Sequence, residues 1–296
     1  MTEWKLGVIG GSGLYEIEAL ENRCWVSMAT PWGPPSDDLL MGEMDGVGVV
    51  FLPRHGRGHR LPPGDINARA NISALKQAGC TDILSISAVG SLREDLAPGA
   101  LAVVGQYVDR TARRPGTFFG PGLTAHVSMA EPTCPRLSGL AVEAARDLSM
   151  AVAEDVTYLA MEGPQFSTRA ESRIYRGLGC DVIGMTAMPE ARLAREAELP
   201  YANVCLVTDY DAWRESEAPV EVAAVLDVMR RNAETARRLL VDVIRRLPRS
   251  RAASPIDTCL DHAVVTDPVA WDPEAVARLM AVSPRRFGHQ GRKSPV

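Results

Sequence analysis

The sequence predicts an α/β fold on three observations. Short apolar runs of Val, Ile and Leu alternate along the chain with segments of helical periodicity. The apolar runs are hydrophobic at successive positions, as in strands that are buried on both faces of a covered sheet. Hydrophobic residues make up 46% and charged residues 23% of the 296 positions, which are ordinary values for a globular protein. This length suits one large domain as well as two smaller ones.

Six apolar runs are predicted to be strands, at residues 5–9, 47–52, 82–87, 101–108, 181–185 and 203–207. Helices are predicted where apolar residues recur at helical spacing, at 68–78, 137–148, 168–178, 191–198, 220–247 and 272–280. Ser167 or Thr168 can cap the third of these helices, and Gly179 can end it. Pro189 is well placed to start the fourth. Strands and helices therefore alternate along most of the chain.

The long helix at 220–247 closes a main domain that is predicted to span residues 1–248. Residues 249–283 form a predicted C-terminal extension with a short helix, packed on the main domain or on a neighbouring subunit. The last stretch, 284–296, is basic and contains Gly and Pro, which predicts a flexible tail.

Charge, cysteine spacing and hydropathy indicate which partners and which cellular location to expect. The net charge of −5, from 32 Lys and Arg against 37 Asp and Glu, gives no reason to expect nucleic-acid binding. The six cysteines are scattered without a CxxC pair, which favours free thiols in a reducing compartment over disulfides or a zinc site. The first residues lack the pattern of a signal peptide, and no apolar run approaches the ~20 residues of a membrane helix. We therefore expect a cytoplasmic protein that does not bind membranes.

Polar and glycine-rich clusters repeatedly follow the ends of the predicted strands. They lie at 10–13, 53–56, 88–91, 186 and 208–211. In α/β sheets the ligand crevice lies at the carboxyl ends of the strands. The sequence therefore predicts one site that gathers a glycine loop, an Arg-His pair, small hydroxyl residues and two carboxylates.

The glycine loop at 10–13 suits an anion, because glycines let backbone N–H groups approach it and Ser12 adds a hydroxyl donor. A tight turn without a ligand is an equally good interpretation of this loop alone. Dinucleotide binding is a poor one, because the string 7–13 (GVIGGSG) lacks the GxGxxG spacing.

Arg54 and His55 strengthen the interpretation as a phosphate site. An arginine offers a planar fork suited to phosphate, and the neighbouring histidine can donate a further hydrogen bond. Asp209 and Asp211 lie two residues apart after a strand, where they could point the same way. A helix cap, a salt bridge or a metal ligand would explain them, but acid–base work on a bound small molecule is the favoured interpretation.

Taken in order, these strings resemble the 5′-methylthioadenosine phosphorylases, a family within the trimeric purine nucleoside phosphorylases. The matching stretches are 7–13 (GVIGGSG), 30–37 (TPWGPPSD), 52–56 (LPRHG), 69–72 (RANI), 90–94 (GSLRE), 129–132 (MAEP), 162–167 (EGPQFS), 185–190 (MTAMPE) and 208–213 (TDYDAW). The resemblance implies a single domain with a central mixed, mostly parallel sheet flanked by helices. It also implies a homotrimer with its site near a subunit boundary, so that a neighbouring chain completes the pocket.

The resemblance implies a role for each matching position. Phosphate would be held by Ser12, Arg54, His55, Ser87, Ala88 and Thr186. Met185 would contact the ribose, Phe166 and Ser167 the purine, and Asp209 and Asp211 the edge of the base. The 5′ group would lie near His126, Val222 and Val225. The substrates would be a nucleoside and inorganic phosphate, with no metal or organic cofactor.

The implied reaction passes through an oxocarbenium-like state when the C1′–N9 bond breaks. Asp211, with a pKa raised by burial, could protonate N7 of the departing base. A carboxylate accepts from the 6-amino group of adenine and opposes a 6-oxo group, so Asp209 and Asp211 favour adenine. The alternatives are a phosphorylase for 5′-methylthioinosine or another 6-oxopurine nucleoside and, more distantly, a nucleoside-binding sensor without catalysis.

Overall fold

The computed structural model describes residues 3–11, 13–14, 16–214 and 222–288, and for 222–232 it describes the backbone alone. The strands are β1 (Lys5–Gly10), β2 (Glu21–Val26), β3 (Leu39–Met44), β4 (Val47–Pro53), β5 (Asp82–Ser91), β6 (Leu101–Asp109), β7 (Val152–Ala160), β8 (Val182–Gly184) and β9 (Tyr201–Asp209). The helices are α1 (Ala68–Gln77), α2 (Pro135–Asp147), α3 (Arg169–Gly177), α4 (Ala187–Glu196), α5 (Val222–Arg246), α6 (Pro273–Leu279) and α7 (Pro284–Phe287).

The strands form one sheet, in the order β2-β3-β4-β1-β5-β8-β7-β6-β9. Because β9 pairs with β5 as well as with β6, the last five strands in this order close into a ring. Within the described residues, five strand pairs are parallel and four are antiparallel. The predicted single α/β domain with a mixed, mostly parallel sheet and flanking helices is confirmed.

Successive side chains of a strand point to opposite faces of the sheet, and the hydrophobic core is therefore divided between these two faces. Leu6 and Val8 of β1 belong to one buried cluster, together with apolar residues of α2 and α5. Ile9, from the same strand, belongs to the other cluster, which contains residues of α1 and α4. Both faces of the sheet are thus covered, which explains why the strands are continuously apolar in sequence.

All six predicted strands are present, and three further ones were missed. Two of these, β2 and β3, form an antiparallel extension at one edge, where β2 is largely exposed. The third, β7, begins with the exposed residues Glu154 and Asp155 and becomes apolar only in its second half. Neither the edge strands β2 and β3 nor β7 has the continuous apolar run by which the buried strands are detected.

The C-terminal extension packs on the main domain of the same chain. Leu260, Trp271 and Leu279 are buried in the core on the α1 and α4 side of the sheet. The flexible tail predicted at 284–296 is wrong for its first residues, because 284–287 form α7 and Phe287 is 1% exposed. Residues 289–296 of that prediction lie outside the described residues. The aromatic rings of Trp271 and Phe119 lie against Phe287, with centroids 5.5 and 6.3 Å away, and this burial outweighs the polar composition around it. In the described part of the chain, no helix has both the length and the apolar character to cross a bilayer.

Candidate active site

A cavity of about 250 Å³ opens where the carboxyl ends of several strands meet. The carboxyl ends of β1 and β4 are neighbours in a parallel pair, and β9 runs parallel to β5. The short β8 meets the last two residues of β5 in antiparallel register, which brings the residues after β8 to the same place. The predicted residues that line the cavity are Arg54, His55, Ser87, Ala88, Phe166, Met185, Thr186, Asp209 and Asp211. Local clusters that lie far apart in sequence therefore form one site.

The guanidinium of Arg54 is buried and is held by Glu190, a residue of α4 for which the sequence predicts no role. Nε of Arg54 lies 2.6 Å from Oε1 of Glu190, and Nη2 lies 3.1 Å from Oε2. The remaining protein contacts are Nη1 to the Ile86 carbonyl and Nη2 to the hydroxyl of Ser85. Counting partners among the described residues only, four of the five N–H donors are engaged, and one on Nη1 remains for a ligand. Part of the planar fork thus neutralises a buried carboxylate, as burial of two charges requires.

His55 is a neutral side chain in this site. Burial is the main reason that its pKa is lowered to about 4, and the positive charge of Arg54 contributes to the same effect. Its Nδ1 lies 2.9 Å from the carbonyl oxygen of Leu61. Because a carbonyl only accepts hydrogen bonds, Nδ1 carries the hydrogen and Nε2 of the neutral ring has a lone pair. In this neutral form His55 offers an acceptor at Nε2.

The small residues predicted to contact phosphate lie at the ends of β5 and β8. The Ser87 hydroxyl lies 3.1 Å from Oδ1 of Asn203. Thr186 follows β8, and its backbone N–H donates to the hydroxyl of Tyr158 over 3.3 Å. Both residues line the cavity with Ala88 and Arg54. Ser12, the remaining predicted phosphate contact, lies outside the described residues.

Asp209 and Asp211 lie together at the end of β9 in two different environments. Oδ1 of Asp209 accepts from the backbone N–H of Asp211 over 2.7 Å, and its Oδ2 accepts from the hydroxyl of Thr208, also over 2.7 Å. Asp211 adopts a left-handed backbone conformation with φ of 50°, which Asp tolerates better than most residues. Its Oδ2 is buried and has no hydrogen-bond partner among the described residues.

The environment of Asp211 favours its protonated form. Burial raises its pKa, the neighbouring charge of Asp209 adds to this effect, and the hydroxyls of Ser172 and Ser167 oppose it. Asp209, by contrast, has both carboxylate oxygens engaged by donors. The two carboxyl groups are thus suited to different tasks, one as a proton donor and the other as an acceptor.

Gly90 in β5 provides the space in which both carboxyl groups lie. A Cβ at this position would be 2.9 Å from Oδ1 of Asp209 and 3.2 Å from Cβ of Asp211. Both distances are shorter than ordinary van der Waals contact, so a larger residue would have to displace the pair. The glycine is required by the close approach of the neighbouring strand.

Part of the cavity lining is apolar. Met161, Phe166, Ile183 and Met185 line it, and Phe166 is partly exposed at its edge. Ser167 is buried beside this wall, where its hydroxyl lies 3.6 Å from Sδ of Met161, but it is not part of the lining. Methionine and aromatic side chains of this kind fit an aromatic base or a sugar face.

The residues predicted to surround the 5′ group are not gathered by the described part of this chain. His126 is exposed and does not line the cavity, and its backbone N–H donates to the carbonyl of Ala263. The side chains of Val222 and Val225 lie outside the described residues, although their backbone opens α5. Two turns further along this helix, Ala233 and Ala236 do line the cavity.

Several residues of the site were missed in the sequence. Glu190 belongs to a matching stretch but had no predicted role, and only its burial in an apolar helix could have marked it as a partner for a cation. His59 also lines the cavity, and its ring stacks on that of His55 with centroids 4.1 Å apart. Among the described residues, no three His, Cys, Asp or Glu side chains are grouped so as to hold a metal ion.

Comparison with known proteins identifies the protein family to which this chain belongs. Residues 5–245 match the model of the phosphorylase superfamily. The S-methyl-5′-thioadenosine phosphorylase of Cereibacter sphaeroides is 53% identical over 95% of this chain and 97% of its own length. That of Thermofilum pendens is 47% identical over 90% of this chain and 100% of its own length.

Solved structures agree with the sequence relatives. A methylthioadenosine phosphorylase from an Antarctic soil metagenomic library has a TM-score of 0.90 and 44% identity, covering 95% of this chain and 99% of that one. The Schistosoma mansoni methylthioadenosine phosphorylase in complex with adenine has a TM-score of 0.76 and 38% identity, covering 82% and 91%. The chain therefore belongs to the phosphorylase superfamily and, within it, to the S-methyl-5′-thioadenosine phosphorylases. It is accordingly an enzyme of the pentosyltransferase class.

Proposed function

We propose that the chain catalyses the phosphorolysis of 5′-methylthioadenosine to adenine and 5-methylthioribose 1-phosphate, with 5′-deoxyadenosine as a further substrate. The observation that carries this proposal is the buried Oδ2 of Asp211, which has no hydrogen-bond partner in the part of the chain that the structure describes and lies in the same cavity as Arg54 and His55. A proton donor and an anion-binding group thus share one small site. That combination is what the cleavage of a nucleoside by phosphate requires.

In the proposed reaction the C1′–N9 bond breaks as an oxygen of phosphate bonds to C1′. The electron pair of the broken bond passes to the base, and Asp211 delivers a proton to N7, so that adenine departs neutral. The phosphate charge stabilises the positive charge that develops on the sugar. Asp211 then regains a proton from solvent. Nucleoside and phosphate are the only reactants, and the scheme requires no metal or organic cofactor.

Phosphate binding rests on Arg54, His55, Ser87, Ala88 and Thr186, with Ser12 as an additional contact. The remaining N–H on Nη1 of Arg54 is a charged donor, and a hydroxyl group of the bound phosphate donates to Nε2 of His55. Glu190 fixes the guanidinium of Arg54 in place, and the phosphate charge interacts with the cationic sugar. This arrangement favours the transition state over the bound reactants.

The choice of base rests on Asp209. With its two oxygens each already accepting one hydrogen bond, it retains lone pairs that can accept from the 6-amino group of adenine. A 6-oxo group would place two acceptors opposite each other, at a cost of up to roughly 10⁴ in kcat/KM in the best-built sites. Met185 would contact the ribose, and Phe166 and Ser167 the purine.

The pocket for the 5′ group is proposed to be completed in a homotrimer. Val222 and Val225 would supply its apolar lining, and an exposed His126 from a neighbouring copy would reach the 5′ end of the nucleoside. The free cysteines, of which Cys80, Cys134, Cys180 and Cys205 are buried, suit a cytoplasmic location.

The test is to incubate the purified protein with 5′-methylthioadenosine, with and without inorganic phosphate, and to measure adenine release. Release that depends on phosphate and strongly exceeds the turnover of 5′-methylthioinosine and inosine is the expected result. Release without phosphate would mean a hydrolase, and a preference for the 6-oxo nucleosides would overturn the role of Asp209. No turnover of any of them would favour a nucleoside-binding sensor.

A further inference from the structure

Arg114 lies in the loop after β6 and has a saturated set of hydrogen bonds. Its side chain is 5% exposed and does not line the cavity. Nε donates to Oε1 of Glu162 over 3.0 Å, Nη1 donates to the carbonyls of Met185 and Met188, and Nη2 donates to the carbonyls of Met161 and Glu162. All five N–H donors of this guanidinium therefore have acceptors.

The four carbonyls belong to two segments that carry cavity residues. Met161 and Glu162 directly follow β7, whereas Met185 and Met188 flank the start of α4. The strands before these segments, β7 and β8, are a parallel pair, and the backbone N–H of Met161 donates to the carbonyl of Gly184 over 2.9 Å. Beyond this bond the strand ladder ends, and the guanidinium of Arg114 joins the two segments in its place.

Glu162 in turn fixes the loop that carries Arg114. Its Oε2 accepts from the backbone N–H groups of Ala112 and Arg113, over 2.7 and 3.2 Å. Burial raises the pKa of Glu162, but the hydrogen bonds from Ala112, Arg114 and Arg113 outweigh it and the pKa lies below its ordinary value. The carboxylate is thus held in its charged form, which is the form that pairs with Arg114.

We propose that Arg114 is a positioning residue for the proposed phosphorolysis, which sets the distance between the nucleoside-binding and phosphate-binding parts of the cavity. It acts by holding the carbonyls of Met185 and Met188, which lie on either side of Thr186, and the carbonyl of Met161. Met161, Met185 and Thr186 are the cavity residues concerned. A planar fork with five donors can join four carbonyls, whereas a lysine ammonium has three donors at one point.

The test compares Arg114→Lys with a matched control, Arg251→Lys. The side chain of Arg251 is also 5% exposed. It binds Asp82, at the amino end of β5, and Asp257 of the C-terminal extension, away from the cavity. For R114K we expect the two Michaelis constants, one for the nucleoside and one for phosphate, each to rise about tenfold, because small displacements of positioning groups are costly. A loss of folded protein alone would lower the apparent kcat and leave both Michaelis constants unchanged, as we expect for R251K.

Unchanged Michaelis constants in R114K, or an equal rise in R251K, would overturn the proposal. Failure of the proposed function is distinguishable, because the wild-type protein would then show no phosphate-dependent adenine release. If R114K yields no folded protein, Glu162→Gln provides the second test. The amide has one acceptor oxygen for contacts that two carboxylate oxygens make with Arg114 and with the loop that carries it, and the four carbonyls stay in place. We expect E162Q to raise both Michaelis constants about threefold, and unchanged values in this variant would also overturn the proposal.

Discussion

Nε of Arg54 lies 2.6 Å from Oε1 of Glu190, in an ion pair whose two side chains are each 2% exposed. Oε2 of Glu190 also accepts from the hydroxyls of Ser85 and Tyr201, over 3.2 and 3.1 Å. The pair thus belongs to a buried polar network beside the cavity that Arg54 lines. Such a network is costly to disrupt, because removal of one member leaves the others buried without partners.

Glu190→Gln should destabilise the protein by about 3–5 kcal/mol, because it leaves the buried guanidinium of Arg54 without a countercharge. The Michaelis constant for phosphate should rise about tenfold, since Arg54 is no longer locked, while that for the nucleoside should change little. Urea unfolding and steady-state kinetics measure the two effects. The control is Glu154→Gln, which removes an exposed pair with Arg146 and should cost at most about 1 kcal/mol. Equal effects in the two variants would contradict the prediction.

Asp211→Asn should lower kcat/KM for the nucleoside by about 10²–10⁴, because the amide cannot deliver a proton to N7. The raised pKa of Asp211 keeps it protonated at higher pH than an ordinary aspartate, so wild-type activity should decline as pH rises through that pKa. This decline should be absent from the pH profile of D211N. Asp95→Asn, at an exposed residue paired with Arg93, serves as the control and should leave activity unchanged. A D211N activity within tenfold of wild type would remove Asp211 from the mechanism.

Gly90→Ala should reduce kcat/KM about 10²-fold, because the added methyl group would displace Asp209 and Asp211. Gly139→Ala is the matched control. Gly139 lies in α2, and a Cβ there would meet no atom within 4 Å. G139A should keep full activity and gain about 0.5–1 kcal/mol of stability, since alanine favours the helix. Kinetics that do not distinguish the two variants would show that the space at Gly90 is unimportant.

Glu196, at the end of α4, should make stability depend on pH. Its Oε1 accepts from the hydroxyl of Thr117 over 2.8 Å, and its Oε2 from the backbone N–H of Phe118 over 2.7 Å. Burial outweighs these bonds and raises its pKa from 4.5 to about 7. The folded protein therefore binds the proton more tightly than the unfolded chain. Stability should fall as pH rises from 4.5 to about 7, by about 3 kcal/mol in all.

Glu196→Gln should abolish this dependence, because the amide keeps the shape without a charge: its oxygen can accept from the backbone N–H of Phe118, and its NH2 group can donate to the hydroxyl of Thr117. Urea unfolding between about pH 5 and 8 measures it as the difference between the variant and the wild type, which should grow with pH. The comparison is necessary because His55 acts in the opposite direction. Its pKa is lowered to about 4, so its contribution to stability is lost as pH falls below 6.5. A constant difference across this range would mean that Glu196 does not titrate there.

The buried strands could be predicted because burial on both faces makes their sequence continuously apolar. β7 could not, because Asp155, with φ of 56°, occupies a bulge where the register against β6 shifts. Gly105 makes room for it, since a Cβ at 105 would meet the carboxylate of Asp155. The closure of the ring by β9 also left no sign in the sequence, because it depends on pairing between distant strands.

Within the site, Arg54, His55, Asp209 and Asp211 could be predicted because each follows a strand. What they bind could not, because their partners come from elsewhere in the fold. Glu190 is 136 residues from Arg54 in the chain. The helix predicted at 191–198 begins just after Glu190, and only the packing of α4, which begins at Ala187, shows that the Glu190 carboxylate faces the guanidinium. Arg114 was missed for the same reason, since its acceptors are backbone carbonyls, which have no sequence signature.

The burial of Phe287 has a consequence for biosynthesis. This residue packs in the same apolar cluster as Ile9, near the opposite end of the chain. A ribosome delivers the chain from its N-terminus, so the part of this cluster that Phe287 covers is completed only after residue 287 has emerged from the exit tunnel. The nascent chain must therefore carry an unfinished core through most of its synthesis, a stage at which chaperones have apolar surface to bind.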